Sequence, residues 1–217
     1  MEILVIGDET NLKECNLKFG DQLVYKLAES HSAAKDFLEP KSIVFDFGIS
    51  ESTDKIRFYD GFSGVVFLNL SKNTLKQFTN STEAKATFFG FCGLPTFLNR
   101  EVLEVSLLRK EDLKKLEEEC ERLNTKFAVV KDQVGLTTAR VICMIINEAY
   151  FAIQENIASR ADIDLAMKLG TNYPFGPFEW CEKIGVRNVY ELLNSVHEST
   201  TDERYKVCEL LKDEALR

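Results

Sequence analysis

The sequence predicts an α/β unit built on a doubly wound parallel sheet, followed by an all-α unit. Two observations predict it. Up to about residue 106, short runs of β-branched and aromatic residues alternate with short helical stretches, the pattern of strands joined by crossover helices. Beyond that point apolar residues recur at helical spacing. The 217 residues are 45% hydrophobic and 29% charged, enough apolar material to bury a core.

Ile3-Leu4-Val5-Ile6-Gly7 opens the chain as a strand apolar on both faces, the mark of a central parallel strand. Leu23-Val24-Tyr25, Ile43–Phe47, Val65–Asn69, Thr87–Phe91 and Val102–Leu107 are the further strand candidates. Ser30–Leu38 and Asp54–Tyr59 are short helices between them.

In the second half, Leu113, Leu116, Cys120 and Leu123 repeat at helical spacing, and Phe127–Val130 is a short strand or extended link. Thr138 to about Asn156 is a helix apolar on more than one face, so it should be central and buried. Ser159 with Asp162 starts the next helix as a cap and an acidic third position, and Gly170 ends it. Pro177 occupies the first position of another, which Gly185 ends. Val189–Val196 and Asp202–Ala215 complete the series.

Composition excludes several functions. There are 27 basic and 35 acidic residues, a net charge of -8, and such a surface repels nucleic acid. No apolar run approaches the roughly 20 residues that span a bilayer. The run after Met1 is too short for a signal core, so a cytoplasmic protein without membrane partners is expected. Six cysteines (15, 92, 120, 143, 181 and 208) are scattered without a CxxC pair. No metal site is expected, and the thiols should be reduced and buried.

Three stretches carry a more specific signal: Ala161-Asp162-Ile163-Asp164-Leu165-Ala166-Met167-Lys168-Leu169-Gly170, Tyr173-Pro174-Phe175-Gly176-Pro177-Phe178-Glu179, and Asp132-Gln133-Val134-Gly135-Leu136 ahead of the long helix with its Glu148-Ala149. In this order and spacing, over residues 126–216, they resemble the helical domain of the 3-hydroxyacyl-CoA dehydrogenases. The resemblance implies a truncated Rossmann-like domain over 1–106 and a helical dimerisation domain over 107–217. It also implies a substrate held between them, a homodimer through the helical domain and NAD as cofactor.

Hydride transfer from a secondary alcohol needs a base for the hydroxyl proton, a group that orients it, and a positioned nicotinamide. The family uses a His base, a Glu twelve residues later, and a Ser and an Asn for substrate. Leu103-Glu104-Val105 is similar to the stretch around that Glu, and twelve residues before Glu104 stands Cys92. A thiol has no second nitrogen for Glu104 to hold, and an adjacent carboxylate raises its pKa. Cys92 is therefore read as a small buried residue rather than a base. Ala139 falls at the Asn position beside a matching Arg140, and Ser71 falls at the Ser position. His31 and His197 match nothing and read as surface residues.

The cofactor turn departs as well. A dinucleotide turn needs several glycines ahead of a helix N-terminus, and here Gly7 is followed by Asp8 and Glu9. Gly7 and Asp46, the counterpart of a family acidic residue, are the candidate cofactor contacts. NAD binding in the usual mode is not expected. The expected function is a 3-hydroxyacyl-CoA dehydrogenase-like protein with lost or strongly reduced activity that keeps acyl-CoA or protein binding. The alternatives are an active enzyme with an altered site, and a structural dimer or complex subunit without a small-molecule ligand.

Overall fold

The structure is a computed structural model that describes residues 1–40, 42–79 and 84–217. The chain divides into two compact units, Met1–Thr137 and Thr138–Arg217.

In the first unit, β1 (Glu2–Ile6), α1 (Glu9–Phe19), β2 (Val24–Ala28), α2 (His31–Ala34), β3 (Ile43–Asp46), β4 (Val65–Asn69), α3 (Leu75–Thr79), β5 (Thr87–Phe91), β6 (Val102–Leu107), α4 (Leu113–Arg122) and β7 (Lys126–Val130) follow in chain order. Among the described residues they build a seven-stranded sheet of order β2-β1-β3-β4-β5-β6-β7. All neighbours are parallel except β5 and β6, which pair antiparallel. The expectation of a parallel sheet therefore holds for all but one pair.

Strands β3 and β4 are buried at every position, as residues covered on both faces of a sheet must be. Their aromatic residues interlock: Phe45 stacks on Phe67 with centroids 4.6 Å apart and meets Phe19 of α1 at 5.0 Å. Such pairs add about 0.5–1.5 kcal/mol each beyond the area they bury. Helix α1 was not expected from the sequence, because its segment is mostly polar. Only Cys15 and Phe19 of it are buried, too thin a stripe to read as a helical period.

The sequence reading places a boundary between residues 106 and 107, whereas the compact unit runs on to Thr137. The reason is β7. It pairs in parallel with β6, Val102 opposite Lys126 through Ser106 opposite Val130, with α4 as the crossover. Its half-exposed pattern marks it only weakly as sheet.

The second unit holds α5 (Thr138–Gln154), α6 (Arg160–Thr171), α7 (Pro177–Ile184), α8 (Val186–Thr200) and α9 (Glu209–Ala215). Helix α5 is the hub, burying Ile142, Cys143, Ile146 and Tyr150. Ser159 caps α6 by accepting from the Asp162 N–H, Pro177 opens α7, and Gly185 closes α7 at φ 92°. The C-cap of α6 is Asn172, left-handed at φ 56°, so Gly170 lies within the helix rather than ending it.

The turn from α6 to α7 is tied by Asp164. Its two carboxylate oxygens accept the Phe178 N–H at 2.8 Å and the Glu179 N–H at 3.2 Å. Gly176 lies so close that a Cβ there would stand 2.3 Å from Asp164 Oδ1. Glu179 accepts the Gly176 N–H and pairs with Lys168. The Asp-Ile-Asp and Gly-Pro-Phe-Glu stretches thus meet as a cross-helix cap.

Candidate functional site

Ligands of open α/β sheets bind beyond the carboxyl ends of the strands, where the strand order reverses. Here β1 lies between β2 and β3. A cleft of about 670 Å³ opens at this place, lined by residues from Ile6 to Asn11, Glu29 to Ser32, Phe47, Gly48 and Lys55.

The first turn is closed upon itself. Asp8 caps α1: the Asn11 N–H donates to Asp8 Oδ1 at 2.9 Å and the Asp8 N–H donates back to Asn11 Oδ1 at 3.0 Å. The open side of Gly7 is filled by the same amide, since a Cβ there would lie 2.3 Å from Asn11 Oδ1. A diphosphate needs free amides and a positive helix end. This turn has spent its third amide on its own carboxylate and set a negative charge at that end. The residues do not fit the diphosphate of a dinucleotide.

Asp46 lies at the end of β3 and is fully buried. Its Oδ2 lies 2.7 Å from His31 Nε2 and accepts the Tyr59 hydroxyl at 2.8 Å. Burial, then the charge of Asp46, pushes the Tyr59 phenol well above its usual range. Asp46 therefore stands behind the cleft wall and serves His31 and Tyr59. His31, read from sequence as a surface residue, keeps only 15% of its side chain exposed. His197 is the more open of the two, 3.7 Å from Glu203.

At the ends of the central strands the organising residue is Asn69, last in β4 and buried. Its Oδ1 accepts the Gly93 N–H at 2.9 Å and the Ser71 N–H at 3.1 Å, while its Nδ2 donates to the Phe47 carbonyl at 3.3 Å. One amide thus gathers the segments after β3, β4 and β5. It brings Ser71 and the neighbour of Cys92 together, although the two are far apart in sequence. Ser71 Oγ is buried and meets no partner among the described residues.

Cys92 is buried, and burial foremost, with the charge of Glu104 adding to it, pushes its thiol up to about 12. Glu104, on β6, accepts the Thr137 N–H at 3.2 Å. Arg100 also lies within the electrostatic reach of Cys92 and Glu104. Its guanidinium stacks 4.8 Å from the Phe97 ring and donates to the Thr96 carbonyl at 3.2 Å. Cys92, Glu104, Ser71 and Asn69 therefore share one end of the sheet, whereas Gly7 and Asp46 belong to the cleft at β1–β3. In the helical unit, Ala139 is buried in the first turn of α5, and Arg140 stacks over Tyr205 at 5.3 Å.

Sequence reasoning missed Asn69, Tyr59, Arg100 and the place of His31. Only the Asn ending an otherwise apolar strand could have been noticed. Among the described residues no group of three or more His, Cys, Asp and Glu could hold a metal ion, and no helix is long and apolar enough to cross a membrane.

The fold defines the class: a Rossmann-like α/β unit followed by an α-helical unit. Residues 135–215 match the model of the 3-hydroxyacyl-CoA dehydrogenase C-terminal domain. The 3-hydroxyadipyl-CoA dehydrogenase of Escherichia coli K12 is 42% identical over 87 residues, 40% of this chain and 18% of that protein. The mitochondrial hydroxyacyl-coenzyme A dehydrogenase of Sus scrofa is 27% identical over 195 residues, 84% of this chain and 62% of its own length. The match thus spans less than two thirds of either relative. The crystal structure of (S)-3-hydroxybutyryl-CoA dehydrogenase PaaH1 from Ralstonia eutropha superposes with a TM-score of 0.76 at 17% identity, covering 98% of this chain and 92% of that one. The helical unit is thus similar to the C-terminal domain of the 3-hydroxyacyl-CoA dehydrogenases, and the chain as a whole resembles proteins of that family.

Proposed function

We propose that this 3-hydroxyacyl-CoA dehydrogenase-like protein has lost, or nearly lost, NAD-dependent dehydrogenase activity and keeps the capacity to bind an acyl-CoA or a protein partner. The observation that carries this reading is Cys92. Burial pushes its thiol up to about 12, so Cys92 stays a neutral thiol at pH 7. It accepts no proton from a substrate hydroxyl and offers Glu104 nothing to orient. The self-capped first turn adds to it, because its carboxylate stands where a diphosphate would need bare amides.

We also propose a homodimer through the helical unit. Helix α6 buries none of its residues in its own unit, and Leu165 and Leu169 are 53% and 78% exposed. Apolar side chains held open on one helix are the mark of a covered face.

Assay of the purified chain with acetoacetyl-CoA and NADH tests the main reading. The expected rate is more than about a hundredfold below that of an ordinary family member, as loss of a general base alone removes about 10²–10⁴. A rate within that margin overturns it and favours an active enzyme with an altered site, for which the orphan hydroxyl of Ser71 is the observation in favour. Calorimetry with acetoacetyl-CoA tests retained acyl-CoA binding. If neither that ligand nor NAD binds and a dimer forms, the structural-subunit alternative replaces it.

A further inference from the structure

At the opposite edge of the sheet from Asn69, Ser71 and Cys92, two cavities adjoin. The first, of about 320 Å³, lies at the amino ends of β3 and β4 against one face of α4. The second, of about 510 Å³, is walled mainly by Leu38, Pro40, Phe58 and Phe62. Pro40 and Ser63 line both, so the two are halves of one groove with a polar end and an apolar end. The polar end is set by α4. Glu119 is almost fully buried, and it accepts from Lys115 Nζ at 2.8 Å and from Arg122 Nη1 at 2.5 Å. A buried carboxylate needs such partners. One carboxylate between two cations leaves a positive charge over. The side chains of Lys115 and Arg122 stay 44% and 45% exposed, and both line the first cavity. A guanidinium also carries more donors than one carboxylate takes. Exposed Glu118 comes no nearer to Lys115 than 3.8 Å. Ser42 and Ser63 belong to the same lining. In a chain of net charge -8, two cations facing one cavity are not a sample of a basic surface.

We propose that this groove binds an aliphatic carboxylate of medium chain length, its head on Arg122 and Lys115 and its tail along Leu38, Phe58 and Phe62. Charge complementarity selects the head, since the surplus positive charge takes one anion and a planar carboxylate matches the guanidinium fork. The apolar walls select the tail. A few polar groups at one end of a largely apolar cleft are the usual make-up of a small-molecule site. The remaining charges of the apolar half, Lys35 and Asp60, are exposed and of opposite sign, so they favour neither a cation nor an anion there. All these groups lie at or before the amino ends of β3 and β4 or on α4. None of them enters the reading of Cys92, which stands or falls separately.

Calorimetry on the full chain with hexanoate, octanoate and octanol, the last being the same tail without charge, tests the groove. Saturable binding of octanoate is expected, about tenfold tighter than hexanoate, the effect of burying two more methylenes. Octanol should be weaker than octanoate by about tenfold or more, the effect of losing a charge-assisted hydrogen bond. Arg122→Gln should weaken octanoate by about tenfold and leave octanol within about twofold. Leu38→Ala should weaken both alike, by about threefold or more. Ser63 is exposed where the two halves join, so Ser63→Trp plugs the groove while leaving the charges of α4 in place, and it should abolish octanoate binding. That variant decides where Arg122→Gln does not fold. Lys212→Gln removes an exposed cation of the helical unit and should change nothing. Failure of octanoate to bind, octanol binding as tightly, or Ser63→Trp binding octanoate as the parent chain does, overturns the proposal. So does Lys212→Gln weakening octanoate as much as Arg122→Gln.

Discussion

Two turns of this protein use the same device for different ends. At Gly7–Asn11 and at Gly176–Glu179 a helix starts after a glycine whose missing side chain is replaced by a neighbour's oxygen, 2.3 Å from the would-be Cβ in both. In both, a carboxylate takes amides at the helix start. The difference lies in where the carboxylate comes from. Asp164 reaches Phe178 and Glu179 from another helix, so its bonds fasten α6 to α7. Asp8 reaches Asn11 from three residues away, so its bond closes only its own turn. A glycine ahead of a helix therefore says that something approaches closely. It does not say whether that something is a ligand or the chain itself.

The contrast extends to the two units, and alkali should break it most strongly. In the sheet unit, burial raises the thiols of Cys15, Cys92 and Cys120, the latter two to about 12. In the helical unit Cys181 is raised to about 11. Unfolded thiols lose their protons near pH 9, whereas the folded ones keep them. Stability is thus full below about pH 9 and falls as pH rises towards the folded values, by about 1.4 kcal/mol per pH unit for each thiol. With three raised thiols and the raised phenols of Tyr25 and Tyr59, the sheet unit should lose more stability per pH unit than the helical unit, which has Cys181 and Tyr150. Hydrogen exchange in each unit between pH 8 and 10.5 reads the difference, and equal losses would refute the assignment of the shifts.

Next in size is Asp164→Ala, which should cost the helical unit about 2–4 kcal/mol by leaving two amides of α7 without their acceptor. Urea denaturation measures it. The matched change Asp8→Ala should cost about 1 kcal/mol and Asp8→Asn less than about 0.5. If Asp8→Ala proves as costly as Asp164→Ala, the local closure of the first turn carries tertiary structure after all. The smallest effect on stability is expected for Leu169→Glu, within about 0.5 kcal/mol, because that side chain touches little in its own unit. Light scattering should nonetheless report monomers for this variant and dimers for the parent chain. A parent chain that is monomeric removes the dimer proposal.

Much of the architecture was legible in the sequence because its causes are local. Ile3–Ile6, Ile43–Phe45 and Val65–Leu68 are apolar at successive positions, as strands covered on both faces are. Ser159, Pro177 and Gly185 act on amides within a few residues of themselves. The family resemblance over 126–216 rests on the same kind of residue, since Asp164 and Gly176 are turn chemistry with a fixed spacing. Helix α1 escaped because its buried stripe is two residues wide. The end of the first unit escaped because β7 gains its place from pairing with β6, and a half-exposed strand does not announce its neighbour.

The sequence alone determined the class of each half, the cysteine at position 92 and the carboxylate at the first turn. Each is a matter of which residue stands at which position. Only the tertiary structure decided that Asp46 serves His31 and Tyr59, that Asn69 gathers three strand ends, and that Asn11 fills the space Gly7 leaves. Those bonds join residues whose separation along the chain carries no period and no motif. They form because the sheet order sets β1 beside both β2 and β3 and brings the ends of its parallel strands to one edge.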